Sequence, residues 1–218
     1  MAASIEIVDA HHHLFDLAKA GYAWLRPDAR HRYGSIAPIA RNYLVADYFA
    51  DTAPYRVIAD VHVEGHRDPR HHPVDETRWL AGLRKQSGYP TVCVGNAKLD
   101  REDIADVLAG HAAFSFLRGI ADWPRATHAP SGMGRGGDAA MDDQRWRDGY
   151  ALLDRYNMSC DLIVQYAQLD EVARLARDFL RTPIIVAHMA YPPSDLDPQR
   201  MAAWRKALEL IARQPNVA

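Results

Sequence analysis

Two histidines, His11 and His13, stand two residues apart at the end of the apolar segment Ile5–Ala10, within the run MAASIEIVDAHHHLFD. Strand side chains alternate between faces, so residues two apart project the same way with Cβ atoms near enough to share one ion. Imidazole is the commonest protein ligand for zinc and similar metals. The chemistry this pair suggests is metal-assisted hydrolysis. Three histidines by chance, or part of an affinity tag, would be the plain alternative; a tag is usually longer and lies outside the first strand. By strict alternation Val8 and Ala10 share one face, and Asp9, His11 and His13 the other. His12 then points away from the pair, into a layer of helices.

Elements must position these rings. Apolar runs predict strands over Ile5–His11, Val57–Glu64, Thr91–Ala97, Phe114–Ile120, Ser159–Val164 and Pro183–His188. A short helix is predicted from Val45, and longer ones over Val74–Gln86, Glu102–His111, Asp143–Tyr156, Leu169–Leu180 and Pro198–Arg213. Strands alternating with helices imply an α/β fold of parallel βαβ units, either an open doubly wound sheet or a closed (β/α)₈ barrel. Polar residues on the strands favour the TIM-type barrel. In the second strand Val57, Ala59, Val61 and Val63 form an apolar face, while Ile58, Asp60, His62 and Glu64 form the other. Three ionisable groups in a row are costly to pack against a helix, and are expected to line the barrel interior. Barrel active sites sit at the C-terminal strand ends. That end gathers His11, His13, His62, Glu64 and, closing the sixth strand, His188, with Arg118 near the end of the fourth and Gln165 just after the fifth.

Composition narrows the classes. The chain has 218 residues, a formal net charge of −2, 48% hydrophobic and 25% charged residues. These values suit one domain over residues 1–218 with a large core. Near-neutral charge gives no reason to expect nucleic acid or an anionic membrane as a partner. Eleven histidines are many for this length; His31, His66, His71, His72 and His128 fall in polar, turn-rich stretches and are expected to be solvated. Cys93 and Cys160 each lie in a buried strand and read as reduced core thiols. No basic-then-apolar leader and no apolar run of ~18 residues is present, so the expectation is a cytoplasmic protein. The glycine-rich PSGMGRGGD within Asp122–Met141 lacks the Gly-Lys-Ser/Thr of a P-loop and reads as a long loop.

The segments IVDAHHHLFD, YAWL, VHVEG, LRGI, MDDQRWRDGYALL before CDLIV, IIVAHMAYPP and the terminal PNV resemble the amidohydrolase superfamily. Within it they are similar to the amidohydrolase-related (amidohydrolase 2) hydrolases that include sugar-lactone and pyrone-dicarboxylate lactonases. These segments run from Ile7 to Val217. The resemblance implies a distorted (β/α)₈ barrel hydrolysing a cyclic ester or related small molecule. It also places His11, His13 and His188 in the metal or catalytic centre, with His188 as ligand or base. A divalent ion, zinc first and manganese as the alternative, would polarise the substrate carbonyl and lower the pKa of bound water. The family is uneven about needing one; without it the histidines would orient water and stabilise an oxyanion. His62 and Arg118 are expected to contact substrate, and Trp24 to contribute to a lid.

Two departures qualify the resemblance. Where family members often read GIR after the fourth strand, this chain has Gly119–Ile120–Ala121, so the substrate is less acidic or Arg118 or Arg125 substitutes. The chain also ends where a seventh strand would begin, and no residue matches the aspartate of the family's last strand. The expectation is a barrel truncated after about six βα units, whose uncovered strand edges favour a homo-oligomer. Two other readings stand beside lactone hydrolysis: a metal-dependent decarboxylase of the same superfamily, and an inactive remnant that needs a partner chain.

Overall fold

Six strands run parallel and alternate with helices along the chain: β1 Glu6–His12, β2 Arg56–Val63, β3 Val92–Asn96, β4 Leu117–Asp122, β5 Ser159–Leu162 and β6 Ile184–Val186. The helices are α1 Val45–Thr52, α2 Val74–Ser87, α3 Ile104–Ala112, α4 Gln144–Arg155, α5 Leu169–Asp178 and α6 Pro198–Ile211. The computed structural model describes residues 5–19, 21–26, 28–31, 34–126 and 140–218. PSGMGRGGD and His128 lie outside them. The backbone divides into two compact units, one of residues 1–96 and 114–117 and the other of residues 97–113 and 118–218.

Helix ends follow from local chemistry. Asp143 accepts the Trp146 N–H at 3.1 Å to start α4, and Asp197 accepts the Arg200 N–H at 2.9 Å to start α6, with Pro198 in its first turn. Each satisfies an amide the helix leaves unpaired. Asp75 and Glu76 open α2, Arg84 and Lys85 close it, and Gly88 ends it at φ 82°, a left-handed turn that suits glycine.

In the first unit β1 pairs with β2, and β2 with β3. The β1–β2 register breaks twice. Asp9 faces Asp60, yet the next matched pair is His12 with His62, so Ala10 and His11 together oppose Val61. This is a β-bulge on β1, and it inverts the alternation beyond it. A matching bulge on β2 ejects Ile58, which is 53% exposed. Before β2, Phe15, Tyr22, Leu25 and Ile36 form a small core against which Trp24 and Tyr43 pack.

In the second unit β5 lies between β4 and β6. Helix α5 buries Leu169, Val172, Ala173, Leu175 and Ala176 along one stripe. Gly149 of α4 meets the Leu99 carbonyl so closely that a Cβ would lie 1.9 Å from its oxygen. Cys93 and Cys160 are buried, as expected of core thiols. His66, His71 and His72 are exposed, also as expected.

Strand boundaries differ from the predicted ones mainly at β4. Phe114 and Phe116 belong to the turn before it, their rings 6.4 Å apart. The strand therefore starts at Leu117 and ends on Asp122. At the sixth strand only Ile184–Val186 is extended; His188 lies in the turn just after it.

Candidate active site

The bulge decides which imidazoles meet. Asp9 Oδ2 accepts the Tyr48 hydroxyl at 3.1 Å, and the His12 ring stacks on Tyr48 with centroids 4.4 Å apart. Asp9 and His12 thus share the face covered by α1. The alternation-based grouping of Asp9 with His11 and His13 is corrected: the extra residue separates them. The expectation that His12 enters the helix layer holds.

His11 and His13 face each other, Nε2 to Nε2, at 3.3 Å. His13 Nδ1 lies 2.8 Å from the Val63 carbonyl. A carbonyl only accepts, so Nδ1 carries the proton and the Nε2 lone pair is turned toward His11. The Asp9 Oδ1 accepts the His11 N–H at 3.2 Å, bracing the bulge from within. Two imidazoles bound to a tetrahedral zinc at ~2.0–2.1 Å would hold their nitrogens ~3.3 Å apart. The spacing and the His13 tautomer therefore fit two ligands of a divalent ion. Among the described residues, no three His, Cys, Asp or Glu side chains are grouped to hold a metal.

Behind the pair is a buried polar layer. His12 Nε2 bonds Asp60 Oδ2 at 2.6 Å, and Asp60 Oδ1 accepts the Thr91 N–H at 2.8 Å and the Thr91 hydroxyl at 2.6 Å. Burial pushes the Asp60 carboxyl up, but the His12 and Thr91 hydrogen bonds outweigh it and hold the group below its ordinary range. His62 is fully buried, its ring edge-on to His12 at 5.7 Å and to His13 at 6.3 Å. Burial above all keeps it neutral, well below the ordinary histidine range. With no exposed surface, His62 cannot touch a substrate in this conformation. The polar face of β2 is the one against the helices, not the barrel interior. Asp60 meets that cost through His12 and Thr91, whereas both ring nitrogens of His62 are buried without a hydrogen-bond partner among the described residues.

Next along β2, Glu64 and Gly65 reach α2. Glu76 Oε1 accepts the Gly65 N–H at 3.0 Å, and burial, then the Glu64 charge, pushes its carboxyl up to about 8. Arg67 Nε donates to the Tyr22 hydroxyl at 3.3 Å, and its guanidinium lies 5.0 Å from the Trp79 ring centroid. Trp24 Nε1 donates to the Gly65 carbonyl at 3.0 Å, tying the preceding loop to the end of β2.

In the second unit Arg118 is the second residue of β4, exposed, four residues before the strand end. The strand end is Asp122, buried, accepting N–H groups from Trp123 at 2.7 Å, Leu99 at 3.3 Å and the Trp146 indole at 2.7 Å. Burial pushes this carboxyl up to about 6. Asp161 is likewise pushed up to about 6 by burial. His188 is exposed and opens four successive left-handed residues, His188, Met189, Ala190 and Tyr191, with φ between 51° and 53°. The Trp204 indole N–H donates to the Met189 carbonyl at 2.8 Å and holds this turn. Partial burial lowers the His188 pKa, favouring the neutral ring.

Residue spacing singled out His11, His13, His62 and His188 but passed over Thr91 and Glu76. Thr91 is one hydroxyl among many, and nothing in the letters marks it as a carboxylate's partner.

A sequence profile described as Amidohydrolase matches residues 8–218. The uncharacterized protein y4mH of Sinorhizobium fredii is 33% identical over 218 residues, covering 98% of this chain and 71% of that protein. Among solved structures, an amidohydrolase from Burkholderia multivorans with bound zinc superposes with a TM-score of 0.73 at 22% identity, over 97% of this chain and 67% of that one. A probable 2-pyrone-4,6-dicarboxylic acid hydrolase from Acinetobacter baumannii gives a TM-score of 0.54 at 11% identity, over 96% of this chain and 81% of that one.

Proposed function

The chain belongs to the amidohydrolase family and is a hydrolase of that superfamily on an α/β fold of TIM-barrel type; from this premise we propose that it opens a cyclic ester, a lactone of a sugar acid or a similar small molecule. The single observation that carries the reading is the facing Nε2 pair of His11 and His13 at 3.3 Å. The pyrone-dicarboxylic acid hydrolase among the structural neighbours, whose named substrate is a lactone, supports the same class.

His11 and His13 would hold a divalent ion through Nε2, zinc first, that being the ion bound in the Burkholderia structure. Such an ion supplies Lewis-acid polarisation of the ester carbonyl and a more acidic water. The chain's own residues do the rest. The Val63 carbonyl keeps the His13 tautomer, and Phe15, stacked on His13 with centroids 5.7 Å apart, holds the ring plane. His188 is proposed as the base that takes the proton from water, its neutral form being the one that can accept. Arg118, exposed near the start of β4, is proposed as a contact for a substrate carboxylate.

The test is a lactone hydrolysis panel on wild type and on a His11→Ala/His13→Ala double variant, scoring ring-opened acid and released carbon dioxide separately. Ring-opened acid lost by a factor of at least ~10³ in the variant is the expected result. Unchanged hydrolysis in the variant, or carbon dioxide as the product, overturns it.

A further inference from the structure

We propose that Asp60 is a positioning residue: through His12 it locks the β1 bulge that turns His11 and His13 to face one another. The inference rests on the reading of that pair as the hydrolytic centre. It begins from the register, in which Ala10 and His11 together oppose Val61. A bulge costs ladder hydrogen bonds and persists only when something holds it. Here the holder is specific. His12, the residue between the two facing imidazoles, is clamped at Nε2 by Asp60 at 2.6 Å, and the Asp60 side chain has no exposed surface.

Asp60 is itself immobilised. Thr91, just ahead of β3, donates its N–H at 2.8 Å and its hydroxyl at 2.6 Å to Oδ1, and leaves Oδ2 to His12. The Tyr48 ring stacked at 4.4 Å closes the other side of His12. His12 cannot slide along the strand without carrying its two neighbours, because each shares a peptide plane with it. Carboxylates that orient groups around a metal site commonly act directly on a ligand's second nitrogen. In this chain that place on His13 is taken by the Val63 carbonyl at 2.8 Å. Asp60 works one step back, on the backbone conformation.

Asparagine cannot replace it. With its one carbonyl oxygen kept by Thr91, its amide N–H would face Nε2, and His12 could accept it only by moving its own proton to Nδ1, a buried atom with no hydrogen-bond partner among the described residues. In Asp60→Asn the His12 clamp opens and the pair loses its spacing. The comparison variant is Asp122→Asn, which removes a buried carboxylate of the second unit that also accepts three N–H groups.

The experiment measures zinc affinity by competition with a chromophoric chelator, melting temperature, and the imidazole ¹⁵N shifts of the zinc-free protein. Asp60→Asn is expected to bind zinc about 10–100-fold more weakly than wild type, while Asp122→Asn melts earlier with its zinc affinity unchanged. Affinity within twofold of wild type in Asp60→Asn overturns the proposal. If wild type takes up no zinc, or His11→Ala/His13→Ala takes it up equally well, the ligand reading fails. The positioning claim is then judged by ¹⁵N alone: displaced His11 and His13 resonances in Asp60→Asn support it, and unmoved ones overturn it. If Asp60→Asn does not fold, Thr91→Val, which removes one of the three bonds, is expected to weaken zinc several-fold, and no change overturns the proposal.

Discussion

Glu76 shows what a buried carboxyl does to stability. Its ordinary pKa near 4.5 is pushed up to about 8, first by burial and then by the Glu64 charge. Between those values the folded protein keeps a proton that the unfolded chain releases, so stability falls as pH rises through that window. Asp122 and Asp161, both pushed up to about 6 by burial, act with the same sign at lower pH. Glu76→Gln keeps the acceptor for the Gly65 N–H and removes the ionisation. Its melting temperature should exceed that of wild type at pH 8 and differ little at pH 5; an equal difference at both values contradicts the assignment. The letters VHVEG disclosed the polar alternation of β2 correctly. Which face met the helices was not legible, because it depends on partners (Tyr48, Thr91 and Glu76) supplied by distant segments.

At the level of elements, the periodicities located the six parallel strands and six α-helices of the described residues but blurred where they end and missed the short 3-10 turns. Phe114 and Phe116 look like strand residues, yet they fall in the turn before β4, which moves Arg118 back toward the strand's beginning. The β1 bulge was invisible for a different reason. An extra residue changes no composition and breaks no apolar run; it only shifts the phase of the residues beyond it. Close packing makes a sharper prediction at α4. In Gly149→Ala a Cβ would stand 1.9 Å from the Leu99 carbonyl oxygen, a backbone atom with little room to yield. A loss of about 1–3 kcal/mol is expected, the usual cost of overpacking, and thermal or urea unfolding checks it. The turn after β6 should respond oppositely. Met189 holds φ 52° with its side chain 59% exposed. Met189→Gly removes a left-handed strain of roughly 1–2 kcal/mol at the cost of about 0.5–1 kcal/mol in chain entropy, so unfolding measurements should show a small net gain.

For the molecule as a whole, a ligand that binds only the folded chain adds RT ln(1 + [L]/Kd) to its stability, about 2.7 kcal/mol at a hundredfold excess over Kd. Zinc should therefore raise the melting temperature of wild type, EDTA should reverse the rise, and His11→Ala/His13→Ala should show neither effect. Family and fold were legible because they are written redundantly from Ile7 to Val217, so no single motif had to carry them. The spatial meaning of the histidines was written only once, in the phase of β1, and that is where strand counting failed. Odd and even positions along that strand exchange roles at Ala10, where two residues do the work of one. A relative that had shed this residue would reach the same two imidazoles with its aspartate one step nearer. The interval from aspartate to histidine, more than the histidines themselves, is thus the fingerprint by which chains sharing this kink could be told from those running straight.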